Sequence, residues 1–202
     1  MKYFLLLVFA YSLTCKAQDY KATLAAHRKN YIDDFLKDQN SPLKKEDLSS
    51  LRFFDADSNY RVIAKVEMLS NQEPFMIPSY SGTGSQYINY AKLRFILNGA
   101  NFELTVYKSP SLSKIPQYKE YLFLPFTDKT NGVSTYGGGR YIDLTTSDIN
   151  KDNTIIIDFN KAYNPYCAYK GGYSCPKPPV VNNLLIEINA GEKKFAGIAN
   201  GH

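Results

Sequence analysis

The side chains with most chemical potential crowd between Tyr136 and Pro179. Tyr136, Arg140, Asp143, Asp158, Asn160, Tyr163 and Asn164 lie in two short apolar segments, Tyr141–Leu144 and Thr154–Phe159, and in the loops beside them. Arg140 offers a planar fork suited to a carboxylate or phosphate. Gly137–Gly139 would let backbone approach a ligand or form an anion-binding nest. Asp158 and Asn160 are two apart, so on a strand they share a face. Together these residues predict a polar ligand pocket at one end of a sheet. The same residues also suit a purely structural role. In that reading Arg140 pairs with Asp158 or Asp143, Asn160 and Asn164 hold loop backbone through Asx-type turns, and Pro165, Pro176, Pro178 and Pro179 stiffen the loop.

Catalytic motifs are missing around this cluster. There is no Gly-x-Ser-x-Gly nucleophile elbow and no His-Glu-x-x-His. His27 and His202 are the two histidines; one falls on a predicted helix stripe, where it reads as a packing residue, and the other is the last residue. A cysteine nucleophile would need Cys167 and Cys175 reduced. The acid and amide side chains 143, 158, 160 and 164 match no EF-hand spacing, and no metal or other cofactor is expected. Ser81-Gly82-Thr83-Gly84-Ser85 lacks the Lys and Ser/Thr spacing of a phosphate-binding P-loop.

The elements that must position the cluster follow from the hydrophobic pattern. Lys2 followed by the apolar run Tyr3–Leu13 resembles a signal peptide and is too short to span a bilayer. Cys15-Lys16-Ala17 predicts cleavage before Gln18, with a lipoprotein acylated at Cys15 as the alternative. The mature chain is therefore expected to be exported, periplasmic or extracellular, with no transmembrane span. Cleavage would remove Lys2 and Lys16 and no acid, taking the net charge from +5 to +3. That balance argues against nucleic acid or an anionic membrane as partner. It would also leave Cys167 and Cys175, most simply a disulfide worth about 2–3 kcal/mol. The alternatives are two reduced thiols in an apolar pocket or, with too few ligands, a metal pair.

Tyr20, Leu24, His27, Tyr31 and Phe35 form one helical stripe, predicting a helix over Asp19–Gln39 that stops before Pro42. Beyond Leu51 the period becomes two. Strands are predicted at Tyr60–Met68, Pro74–Tyr80 (an edge strand), Tyr87–Leu97, Phe102–Val106, Tyr121–Phe126 (ending at Pro125), Tyr141–Leu144, Thr154–Phe159 and Asn183–Ile188. Asn98-Gly99 is a hairpin signal. The fold class is mainly β (α+β): an antiparallel sandwich or small barrel of about eight strands with one N-terminal helix. The division is 1–17 leader, 18–50 helix and connector, 51–202 β-rich domain. Aromatics are Tyr and Phe without Trp, which weakens a sugar-stacking lectin reading.

Several strings are similar to the DUF1684 family: Leu122-Phe123-Leu124-Pro125-Phe126-Thr127-Asp128-Lys129-Thr130, Thr135–Tyr141, Asp158–Pro165, Cys167-Ala168-Tyr169, Cys175–Pro179, Asn183 and Ala190-Gly191-Glu192-Lys193. The resemblance reaches upstream to Phe53-Phe54 and Tyr60-Arg61-Val62 and covers most of the mature chain. Lys177 departs from it, standing where an apolar residue is expected. The resemblance implies a bacterial, often exported or lipid-anchored protein and supplies no catalytic role. Taken together, the sequence predicts a non-catalytic exported module that binds a small polar or anionic ligand, or a protein partner, at the 136–179 surface. The alternative is a hydrolase-like enzyme using Asp143 or Asp158 with Arg140.

Overall fold

The computed structural model describes residues 2–199, with side chains from Gln18 onward. The side chains of the expected leader, 1–17, and His202 lie outside the described residues. Helix α1 runs Lys2–Lys37, beginning before the predicted start and ending two residues short of Gln39. Leu24 and Phe35 of the predicted stripe are buried, each burial worth roughly 1.5–3 kcal/mol. Phe35 packs with Leu43, Leu51, Ala168 and Tyr169, which anchors the end of the helix on the connector and the 166–169 turn. No helix among the described residues is long and apolar enough to cross a membrane.

Eight strands follow: β1 (Arg61–Met68), β2 (Phe75–Pro78), β3 (Gly84–Leu97), β4 (Ala100–Lys108), β5 (Tyr121–Asp128), β6 (Arg140–Thr145), β7 (Thr154–Asp158) and β8 (Asn183–Leu184). They form one sheet in the order β6-β5-β4-β3-β1-β7, with β2 added to β3 and β8 to β5. Pairings are antiparallel except the short β5–β8 contact. Asn98 and Gly99 both have positive φ, 51° and 78°, as the predicted tight hairpin between β3 and β4 requires. The sheet curls until its ends, β6 and β7, flank one small crevice lined by Ile142, Leu144 and Ile156. The result is a half-barrel whose interior is filled by Ala64, Leu93, Leu104, Leu122, Leu124 and Ile157.

Two strands depart from the sequence reading. Beyond Pro125, β5 continues to Asp128, although Pro has no N–H for a ladder. The side chain of Asn182 fills the gap. Its Nδ2 donates to Thr105 O and Pro125 O, both at 2.7 Å, and its Oδ1 accepts from Thr105 N at 2.8 Å. A buried amide thus splices β4 to β5 where main chain cannot. The predicted strand Asn183–Ile188 shrinks to Asn183–Leu184, because the chain beyond turns inward to Asp128: Ile188 N donates to Asp128 Oδ1 at 3.2 Å. Met68 shares the alternation of Val62, Ala64 and Val66 but is 50% exposed at the end of β1.

Candidate functional site

The period of two on β6 divides the predicted cluster. Arg140, Ile142 and Leu144 point into the half-barrel, whereas Tyr141 and Asp143 point to the opposite face, toward α1. Arg140 is fully buried. Its guanidinium donates to Asp128 Oδ2 at 2.9 Å, to Ile188 O at 2.9 Å, to Glu192 O at 3.3 Å and to Ala190 O. Asp128 in turn accepts from Thr130 N, Thr130 Oγ1 and Ile188 N. Burial lowers the Arg140 pKa, and the Asp128 charge opposes that shift. The residue proposed as an anion fork is therefore a closed structural tie, and its partner is neither Asp143 nor Asp158.

The other predicted residues separate in the same way. Asp158 ends β7 and caps the next turn, accepting from Asn160 N at 3.1 Å and from the Tyr20 hydroxyl at 2.9 Å. Asn160 is buried and clasps Asp57 through its N–H and carbonyl. Asn164 is buried, with Nδ2 on Lys193 O. Tyr136 packs in the cluster beside Phe35 and Tyr169. The glycines 137–139 make room for the protein itself. A Cβ on Gly139, where φ is +87°, would stand 2.7 Å from Phe126 O and from Pro178. No ligand-facing nest is needed to account for it.

Asp143 and Tyr163 are brought together. Tyr141 and Tyr163 exchange both backbone hydrogen bonds, at 2.9 and 3.0 Å, which sets Tyr163 beside the outer face of β6. The Tyr163 hydroxyl donates to Asp143 Oδ1 at 2.7 Å, and Tyr121 from β5 donates to the same oxygen at 2.8 Å. Oδ2 has no protein donor among the described residues, and Asp143 lines both a cleft of about 650 Å3 and the small crevice between β6 and β7. Asp143 keeps solvent exposure, while Tyr121, Tyr163 and the elements around them crowd its carboxyl. The resulting desolvation raises its carboxyl above the usual 3.8, while Tyr163 and Tyr121 act against the rise.

The roof of the cleft is α1, through His27, Asn30, Tyr31 and Asp34, one stripe at helical spacing. His27 is an exposed cleft residue here, not the packing residue its stripe suggested. Desolvation within the cleft, then the Lys161 charge, lower its imidazole from 6.5, which favours the neutral form. Lys161, Pro165 and Tyr166 form one wall. Tyr173, Ser174, Cys175 and Pro176 form the other. Cys167 and Cys175 are joined as a disulfide, which closes the loop that carries this second wall. Pro176 is also bridged to Ser79 just past β2. No group of three or more His, Cys, Asp or Glu able to hold a metal occurs among the described residues.

Behind the cleft lies a second carboxylate, Glu192, which the sequence did not single out as chemistry. It is fully buried. Oε1 accepts from Tyr169 at 2.6 Å, and Oε2 accepts from Tyr31 and from Asn164 N, both at 2.9 Å. Burial pushes its pKa up to about 7 despite these donors. The only sequence signal for it was its place in Ala190-Gly191-Glu192-Lys193, one of the strings that resemble the DUF1684 family, with nothing to indicate burial.

Fold and site together define a curled β half-barrel that seals one arginine and opens a helix-roofed, tyrosine-walled cleft. The chain belongs to the DUF1684 family, described as a protein of unknown function, whose model matches residues 46–193. That span holds Asp143, Tyr163 and Glu192 and begins after α1. The chain is similar to the solution NMR structure of an uncharacterized protein of Haloarcula marismortui, at 33% identity and a TM-score of 0.68, covering 88% of this chain and 96% of that one. No curated protein matches the chain.

Proposed function

We propose that the protein is a non-catalytic binding module and that its cleft between α1, β6 and the disulfide loop takes a small polar ligand. One observation carries this reading: Asp143, in the lining of a ligand-sized cleft, holds one oxygen on two phenols and keeps the other without a protein donor among the described residues. A fixed acceptor at the floor of an aromatic cleft orients a ligand without requiring a reactive group. With Arg140 committed to Asp128, the support for an anionic ligand falls away. A protein partner would have to insert a side chain into the same cleft. The reading is tested by calorimetric titration of a small-ligand panel against the protein and against Asn30→Trp, which fills the roof. Binding lost in the variant supports it; binding unchanged by the plug overturns it.

A second reading, hydrolase-like catalysis through Asp143, keeps one observation in its favour. His27, held neutral, lines the same cleft as a carboxylate of raised pKa. It is tested by turnover of ester, amide and glycoside substrates, with loss in both His27→Ala and Asp143→Asn. We propose further that the chain is exported after cleavage before Gln18, the lipoprotein anchored at Cys15 being the alternative. The mass of the mature N-terminus distinguishes the two.

A further inference from the structure

We infer that the ligand of the cleft carries an ammonium group, seated against Asp143 Oδ2 between tyrosine rings; this rests on the cleft being the binding site. The argument begins with the hydroxyls. Five tyrosines border the cleft, and each has its phenol bonded elsewhere in the protein. Tyr163 donates to Asp143 and Tyr141 to Pro176 O. Tyr166 donates to Asp38 Oδ2 and Tyr173 to Asn40 O, both at 2.7 Å. Tyr31 donates to Glu192. A cleft with five tyrosines thus offers a ligand almost no phenol donors. What the half-buried Tyr31, Tyr163, Tyr166 and Tyr173 offer is ring surface, whose faces carry the negative end of the aromatic quadrupole, with the buried Tyr141 backing them.

The rings are arranged as corners. Tyr141 meets Tyr163 at 88° with centroids 5.9 Å apart, and Tyr166 meets Tyr173 at 83° and 5.3 Å. Perpendicular pairs expose a ring face beside an edge, the geometry that surrounds a compact cation. The carboxylates point the same way. Asp34 is compensated by Lys37 at 2.8 Å, whereas Asp143 has no cation within ion-pair distance among the described residues. An anion would meet Lys161 but also the uncompensated Asp143, and the arginine that could have formed a bidentate seat for it is sealed inside the barrel. Lys161 at the wall has no ion-pair partner among the described residues either. It leaves two carriers of the ammonium group: a simple organic cation, or a zwitterion whose carboxylate reaches Lys161.

The experiment is isothermal titration with choline, glycine betaine, glucose and inorganic phosphate at up to roughly millimolar concentration, the weak end of specific affinity. The proteins compared are the wild type, Asp143→Asn, Asn30→Trp and Lys161→Met. Choline or betaine is expected to bind, and to weaken about ten-fold or more in both Asp143→Asn and Asn30→Trp. In Lys161→Met, a further loss of betaine with choline unchanged identifies the zwitterion; betaine unchanged, with choline unchanged or tighter, identifies the simple cation. Failure of both ammonium compounds to bind overturns the inference, as does binding insensitive to Asp143→Asn. If glucose or phosphate binds and is lost in Asn30→Trp, the ammonium class falls while the cleft stands. If ammonium binding survives the plug, the cleft reading itself falls.

Discussion

Two carboxylates of this protein are each held by two tyrosine hydroxyls, and they differ in what lies on the other side. Glu192 is enclosed: both oxygens have donors, and neither reaches solvent. Asp143 lines a cleft, has both phenols on Oδ1 and keeps Oδ2 without a protein donor among the described residues. Tyr31 joins the two regions, bonding Glu192 with its hydroxyl and packing its ring 5.9 Å from that of Tyr163. The enclosed region also holds Arg140 and Asp128 and ties β5, β6 and the C-terminal chain together. The difference teaches that the same carboxylate–phenol chemistry becomes a fold tie when sealed and a candidate binding group when one lone-pair edge is left open.

The sharpest separation should come from Arg140. In Arg140→Ala, Asp128 is left charged and unpaired in the core, which costs about 3–5 kcal/mol and is read as a lower urea midpoint. Arg140→Met with Asp128→Leu should recover part of that loss, because both desolvated charges are then gone. A double variant as unstable as the single one would show that the backbone contacts, and not the ion pair, hold this region.

Glu192 should make stability depend on pH. Its carboxyl binds a proton more tightly in the folded chain, at about 7, than in the unfolded chain at 4.5. Ionising it therefore opposes folding. Its cost is absent below about pH 4.5, grows as pH rises toward 7 and levels off above, reaching on the order of 3 kcal/mol. Comparing urea unfolding at pH 5 and pH 8 in the wild type and Glu192→Gln isolates it. The fall in stability toward pH 8 should be smaller in the variant; an equal fall would mean that Glu192 is already ionised in the folded state at pH 5.

The sequence made the scaffold readable and the site only in part. Alternation at Val62, Ala64 and Val66, and Asn98-Gly99, lead directly to β1 and the β3–β4 hairpin, because side-chain period and turn conformation are local properties. The same alternation placed Arg140 and Asp143, three apart, on opposite faces, so a pocket joining them was excluded by the pleat. The remainder depends on distant partners. Asp128 for Arg140, Asn182 beside Pro125 and Tyr31 above Glu192 are meetings between segments far apart in sequence. His27 looked like packing because helical spacing gives a stripe without saying where its edge meets a cavity.

The disulfide tests the open side of the comparison from a different direction. Cys167 and Cys175 close a short loop, so reduction should cost about 2–3 kcal/mol through unfolded-chain entropy. That loop also carries Tyr169, which donates to Glu192, but the hydrogen bonds of Arg140 and Asp128 do not reach it, whereas Tyr173, Ser174, Cys175 and Pro176 are a wall of the cleft. Reduction or Cys167→Ser with Cys175→Ser should therefore loosen the cleft wall, read as faster amide exchange at 173–176. Exchange near Arg140 and Asp128, whose hydrogen bonds do not reach the loop, should change only with global stability. Faster exchange of equal size in both regions would erase the distinction between them.

The smallest stability effect is expected at Asp143, and that smallness is its diagnostic value. Asp143→Asn keeps an acceptor oxygen for Tyr121 and Tyr163 and removes a charge that the cleft desolvates. The free energy of folding should change by less than ~1 kcal/mol, in contrast to the large loss at Arg140. The raised carboxyl of Asp143 is less costly to protonate than an ordinary one, so the variant should also be slightly favoured as pH rises above 3.8. A side chain that holds a fold together shows itself in the urea midpoint; one kept for a ligand shows itself in binding. If Asp143→Asn instead destabilised as strongly as Arg140→Ala, its two phenols would be fold ties like those of Glu192, and the open oxygen would be incidental to them.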